Sequence, residues 1–449
     1  MRWGLAGLAL LGWTVASAPV HAAPALHFLR PVALPGGAAH TEPSVVIDSQ
    51  GRIYVSAIFG VPGAVGPAGT CPNGPGTPVW RSEDGGRTFS CHFTASAGPA
   101  ATNLSGGDSA LVLDKRDYLY GTDLWLGDDS SWYSTDHGNT YFGSPASHRP
   151  VDDRNWLAYS RPGDAIYQIY DGFDGLWVSR ADLSGPLGIR SSLAFNFNNQ
   201  IAPEDAAGQG SDSPYVRDDA APPGGIAVDQ RSGTVYASWS DQHGIAVARS
   251  TDKGSTWTIG HIPGSQVTGS DTDDLWNFAP IATDSAGDVY VAWGQITQGS
   301  ANAPVGIGLW LAASRDGGRH WSKYRMPARA TAVFPTLAVF GPGHVAVAWV
   351  DTAVTGNPNA SGFTGATWRL QYAELSGVGR GPIRIMQATV DPAVHTGTLF
   401  VGPQGGDRGM GDFFSMAVGP DGRLVVAYTR GQQSANAAMV AVLPHHPAP

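Results

Sequence analysis

Four copies of one short turn constrain this chain more than any other feature. They occupy residues 82–89, 134–141, 250–257 and 314–321, and each has a Ser, an Asp two residues on, a Gly two residues later, then Thr or His before an aromatic. Each position has a mechanical reason. The carboxylates of Asp84, Asp136, Asp252 and Asp316 are placed to accept backbone N–H bonds inside a tight turn, the Gly supplies a positive φ, and the hydroxyls lock the Asp rotamer. These four carboxylates therefore read as structural clamps.

A second repeat surrounds the first. An apolar strand, a Gly-containing turn and a second apolar strand, often ending in an aromatic, recur seven times, from residues 44–55 to residues 416–428. A third strand follows each copy, and in four of the seven it runs into the Ser/Asp/Gly turn. Three strands, a turn and a fourth strand make one blade, so the pattern predicts an all-β, seven-bladed β-propeller of four-stranded antiparallel blades, with a six-bladed ring as the alternative. The content of 60 Gly and 33 Pro fits turns and strands and not helices. The last copy ends without an outer strand, and residues 26–34, apolar and otherwise partnerless, are expected to supply it and close the ring of a single domain over 23–449.

The turn pattern resembles the Asp-box of the bacterial-neuraminidase (BNR) repeat, the marker of sialidase-like β-propellers. The resemblance implies the fold, and a glycoside-hydrolysing or glycan-binding role with the ligand in the central mouth. Sialidases place three arginines on the substrate carboxylate, a Tyr–Glu nucleophile pair and an Asp acid. Their first Arg opens a Phe/Tyr-Arg-Ile-Pro motif, and the matching stretch here is Thr41-Glu42-Pro43-Ser44, without that Arg. Asp152-Asp153-Arg154-Asn155-Trp156-Leu157-Ala158 resembles a signature of secreted proteins labelled sialidase-like.

The start supports secretion. Met1-Arg2-Trp3, an apolar run and Val20-His21-Ala22 read as a signal peptide over 1–22, which places the product in the periplasm or outside the cell. Cys71 and Cys91 are then expected to form one disulfide. No later run is long enough to span a bilayer. A net charge of −10 with lysine only at Lys115, Lys253 and Lys323 speaks against nucleic acid. A monomer is expected.

Propeller topology puts the Ser/Asp/Gly turns on one face and the loops entering each first strand on the other, where a ligand would sit. Arg154, Arg217 and Arg408 each precede a first strand, and Tyr215 and Glu204 share one long loop; with Asp153 these six are the candidate catalytic residues. Asp171, Asp174, Asp241, His243, Asp274, Trp276 and Asp412 are the candidate ligand contacts, a rim suited to sugar recognition. Carboxylates in such number also suit calcium, although the Asp-x-Asp-x-Asp-Gly loop is absent; no other cofactor is indicated. Two readings stand: a binding propeller for a glycan or protein, and an exo-acting glycoside hydrolase. Under the second, Arg154→Ala or Arg408→Ala is expected to abolish hydrolysis with little change in melting temperature.

Overall fold

The computed structural model describes residues 26–38, 40–58, 77–93, 107–125, 128–144, 152–172, 175–184, 197–203, 223–241, 243–265, 278–300, 303–358, 360–399, 409–432 and 435–444. Their strands pair almost wholly antiparallel, as five four-stranded sheets and one eight-stranded sheet. The eight-stranded sheet is two four-stranded halves joined by a single parallel bridge, Ile307 to Thr331.

The units follow the chain. The first runs Thr41–Ile47, Ile53–Ile58, Pro78–Ser82, Ser90–Phe93, and the second Ser109–Leu113, Leu119–Trp125, Asp128–Ser134, Phe142–Ser144. Asp152–Ser160, Ala165–Gly172, Gly175–Asp182 and Phe197–Pro203 make the third; Pro223–Val228, Val235–Asp241, Gly244–Ser250 and Thr258–His261 the fourth. The eight-stranded sheet holds the fifth (Ile281–Thr283, Val289–Ser300, Ala303–Ser314, Ser322–Arg325) and the sixth (Thr331–Gly341, His344–Thr352, Thr367–Ser376, Arg384–Thr396). In the last unit Ser415–Val418, Leu424–Gln432 and Ala435–Leu443 are followed outward by Val32–Ala38, from the other end of the chain.

The first strands of successive units lie against one another, and that of the last unit lies against that of the first. The cycle of contacts is closed, which makes the molecule a β-propeller. Its apolar core is accordingly divided among the interfaces between units: Tyr54 and Val79 meet Leu119 and Trp132, Ile169 and Val178 meet Ile226 and Trp239, and Val425 and Val440 meet Ile53 and Trp80. Six tryptophans, Trp80, Trp132, Trp239, Trp293, Trp349 and Trp368, are wholly buried there. Gly121 faces Trp132 across the ladder, and a Cβ on it would lie 2.1 Å from the indole, so no other residue fits without moving the ring.

The outer strand of the last unit pairs with Ala435–Leu443, Val32 opposite Val440 and Ala33 opposite Met439. Of the expected closing segment 26–34, only its end lies in this strand, which continues to Ala38; upstream, Leu29 still donates its N–H to Val442 at 2.8 Å. Residues 1–25 and Cys71 lie outside the described residues, whereas Cys91 sits opposite Trp80.

The four Ser/Asp/Gly turns share one hydrogen-bond pattern. In the first, Ser82 Oγ donates to Asp84 Oδ1 at 2.9 Å and accepts from Gly86 N at 2.9 Å, and Thr88 gives its N–H to Oδ1 at 2.9 Å and its hydroxyl to Oδ2 at 2.6 Å. Asp136, Asp252 and Asp316 repeat it, with His320 Nδ1 replacing the hydroxyl in the last. The residue after each Asp also has a positive φ, and an arginine of the preceding unit packs on it. Arg81 donates to His137 O and Arg180 to Lys253 O, both at 2.7 Å. At the other two turns Arg423 and Arg249 would meet a Cβ on Gly85 or Gly317 at 2.7 and 3.2 Å. The turns thus latch units together as well as closing hairpins.

These bonds hold the Asp84 and Asp252 carboxyls down from 3.8 to about 2, the hydroxyls of Thr88 and Thr256 being the largest causes. A depressed folded-state pKa contributes stability that is present above the unfolded value and lost as pH falls through the folded one. The melting temperature is therefore expected to fall between about pH 4 and about pH 2, and Asp84→Asn with Asp252→Asn should flatten that slope. An unchanged slope in the double variant would contradict the clamp.

A second set of clamps, which the sequence reading missed, closes the turns between first and second strands. Asp48, Asp114 and Asp284 each accept two backbone N–H bonds, and each takes the phenol O–H of Tyr54, Tyr120 or Tyr290 from the next strand.

Candidate functional site

On the face opposite the Ser/Asp/Gly turns, the first strands begin with irregular backbone. Glu42, Arg154 and Phe334 have φ of 53°, 55° and 53°, each where the pairing with the second strand shifts register. A bulge of this kind re-aims a side chain, and non-glycine residues adopt such a φ only where neighbours fix it. Glu42 is moreover one of the carboxylates whose charge acts on Arg154.

Arg154 is 6% exposed. Its Nη2 donates to Asp412, which has no exposed surface, and its Nε lies 3.7 Å from Asp108 Oδ2 and 3.8 Å from Asp153 Oδ2. Its guanidinium also sits 5.3 Å from the Phe278 ring centroid. Glu42 accepts the Asp412 N–H at 2.9 Å, and Gly411 has no room for a Cβ beside the Glu42 side chain. Four carboxylates from the first, second, third and last units therefore surround one guanidinium. Burial alone would lower the Arg154 pKa, but Asp412, Asp108, Glu42 and Asp153 outweigh it, so the group stays charged. Asp153 is the outlying member, its side chain 55% exposed. Partial burial and then the Asp108 charge push its carboxyl up to about 6, against the opposing pull of Arg154.

The next two residues of the signature anchor other units. Asn155 Nδ2 donates to Asp129, as does Gln168 Nε2. Trp156 donates its indole N–H to Pro223 O at 2.8 Å and packs edge-on against Phe413, ring centroids 4.6 Å apart. Phe413 in turn meets Phe278 at 6.4 Å. Side chains of the third, fifth and last units thus touch one another around the axis, below the Arg154 cluster.

The candidate residues divide as follows. Arg154, Asp153 and Asp412 come together, and Asp171 lies directly across the ladder from Asp153. Asp241 and His243 belong to a separate group at the end of the fourth unit's second strand. There His261 Nε2 approaches both Asp241 oxygens at 2.8 and 3.1 Å, and His243 gives its N–H to Asp241 at 2.8 Å. Arg217, Arg408, Tyr215, Glu204, Asp174, Asp274 and Trp276 lie outside the described residues. Among the described residues no group of three or more His, Cys, Asp or Glu is arranged to hold a metal ion, and no helix is long and apolar enough to cross a membrane.

Sequence reasoning did not single out Glu42, Asn155, Gln168 or His261 as site residues. Glu42 carried a usable signal, since it stands at the start of a first strand, at the same place in the repeat as Asp108 and Arg154. One expectation needs correcting. Arg154 is not a surface group that can be removed without structural cost; it is buried and paired with Asp412.

No family model and no curated protein matches the chain. Among solved structures it is similar to a protein of unknown function from Dyadobacter fermentans DSM 18053, at 14% identity and a TM-score of 0.44 over 94% of this chain and 99% of that one. It is similar to the phage phi92 endosialidase at 10% identity and a TM-score of 0.49, over 94% of this chain and 70% of that one. The NanB sialidase of Streptococcus pneumoniae gives 11% identity and a TM-score of 0.44 over the same shares, 94% and 70%.

Proposed function

We propose that the chain is a secreted, sialidase-like propeller of seven blades with BNR/Asp-box turns, which binds a glycan at its central mouth without sialidase catalysis. One observation carries the reading. Arg154 is enclosed by Asp412, Asp108, Asp153 and Glu42, and Glu42 occupies the stretch where the family has its first arginine. Recognition of a substrate carboxylate needs a guanidinium with both forks free and an excess of positive charge. Arg154 has neither, and it is the one candidate arginine among the described residues.

The test is a sialidase assay on aryl and oligosaccharide sialosides beside a glycan array. No released sialic acid together with retention of a glycan class is the expected result. Release of sialic acid by the wild type would overturn it. A mature chain beginning near Ala23 with Cys71 paired to Cys91 belongs to the same reading, and the intact mass of the secreted protein checks both.

A second reading, an exo-acting glycoside hydrolase, has one observation in its favour. Asp153, raised to about 6, and Asp108 approach the same Arg154 Nε, and two neighbouring carboxyls, one of them held above its ordinary value, are the groups that acid–base chemistry on a glycoside uses. Hydrolysis of any neutral aryl glycoside by the wild type, lost in Asp153→Asn, would favour it.

A further inference from the structure

The ligand class of the mouth follows from what the Arg154 cluster has left to offer, on the premise that the mouth binds a glycan as proposed above. Arg154 Nη2 is taken by Asp412, and Nε faces Asp108 and Asp153. Nη1 is buried and has no hydrogen-bond partner among the described residues. An unpaired buried donor costs about 1–3 kcal/mol, so a group that accepts from it has a standing advantage. The incoming group must also suit carboxylate acceptors, because Asp153, Asp108, Asp412 and Glu42 outnumber the single guanidinium.

A carboxylate fits this poorly. It accepts only, and it would be brought against Asp412, Asp108, Asp153 and Glu42, which already surround the guanidinium. An ammonium group satisfies the acids but offers nothing to Nη1. A hydroxyl both accepts and donates, so adjacent hydroxyls on one sugar ring serve Nη1 and the half-exposed Asp153 carboxylate together.

We propose that the mouth recognises the vicinal hydroxyls of a neutral sugar and rejects sialylated and other carboxylated glycans, with Asp153 as the contact residue and Arg154 as both donor and strut. The signature Asp153-Arg154 then serves specificity as well as structure. Because Asp153 is the exposed member of the cluster, it can be changed with the buried ion pairs left intact.

The experiment uses the full mature chain on an array carrying paired neutral and sialylated glycans, with isothermal titration of the best neutral oligosaccharide against wild type, Asp153→Asn and Asp153→Ala. Wild type should retain neutral members and not their sialylated partners. Asp153→Ala should weaken the neutral ligand about tenfold or more, the worth of a hydrogen bond to a charged acceptor, and Asp153→Asn, which keeps an acceptor oxygen, should weaken it less. Preference for the sialylated members, or neutral binding indifferent to Asp153→Ala, overturns the inference and leaves glycan binding standing. Retention of no glycan overturns both.

Discussion

Arg154→Ala is expected to lower the stability of the folded chain by about 3–5 kcal/mol, the usual cost of removing one partner from a buried ion pair. The loss should appear as a lower urea midpoint with an unchanged m-value. The magnitude follows from what stays behind. Asp412 is fully buried, Glu42 and Asp108 are nearly so, and without the guanidinium their charges face one another across the meeting point of four units. Those carboxylates would have to take up protons or draw water into the axis, and either route costs free energy. Arg154→Ala combined with Asp412→Leu should recover part of the loss, because the second change removes the most deeply buried charge. A single-variant loss below about 1 kcal/mol, in the range of an exposed pair, would show that the cluster is solvated and does not brace the ring.

That expectation reverses the one drawn from the sequence, and the reversal has a physical source. The fold is legible in the chain because it repeats: the Ser/Asp/Gly turn and the two-strand pattern are local, and their hydrogen bonds close within five residues, as from Ser82 to Gly86. The Asp48, Asp114 and Asp284 clamps are equally local, each tied to a tyrosine six residues on. The mouth is different. Arg154 is bonded to Asp412, 258 positions away, and Asp412 to Glu42, 370 positions away. Such pairings depend on ring order and on bulges that turn Glu42 and Arg154 inward, and no spacing in the sequence encodes either. Asp241 shows the same limit: its partner His261 lies in the next strand but one, across a hairpin whose register had to be seen.

The second large effect concerns the strand that joins the chain's two ends. Deleting residues 26–38 is expected to abolish the cooperative fold. Val32–Ala38 covers the last strand, Ala435–Leu443, which would otherwise present an unpaired apolar edge of the kind that recruits other chains. The segment also ties three units together. Leu34 is buried between the last unit and the first, Pro35 O accepts the Trp80 indole N–H at 2.8 Å, Leu26 is buried between the sixth and last units, and Phe28 packs edge-on against Tyr372. Burial of Leu26 and Leu34 stabilises by about 1.5–3 kcal/mol each, before the ladder bonds and the contacts of Phe28 and Trp80 are counted. A domain holds only about 5–15 kcal/mol in total, so the loss reaches the size of the whole stability. The expected readings are light scattering from the truncated chain and loss of its sharp urea transition, with recovery of that transition when residues 26–38 are supplied as a separate peptide. A truncated chain that does not associate and keeps the wild-type urea midpoint would mean that the other units hold the ring closed without this strand.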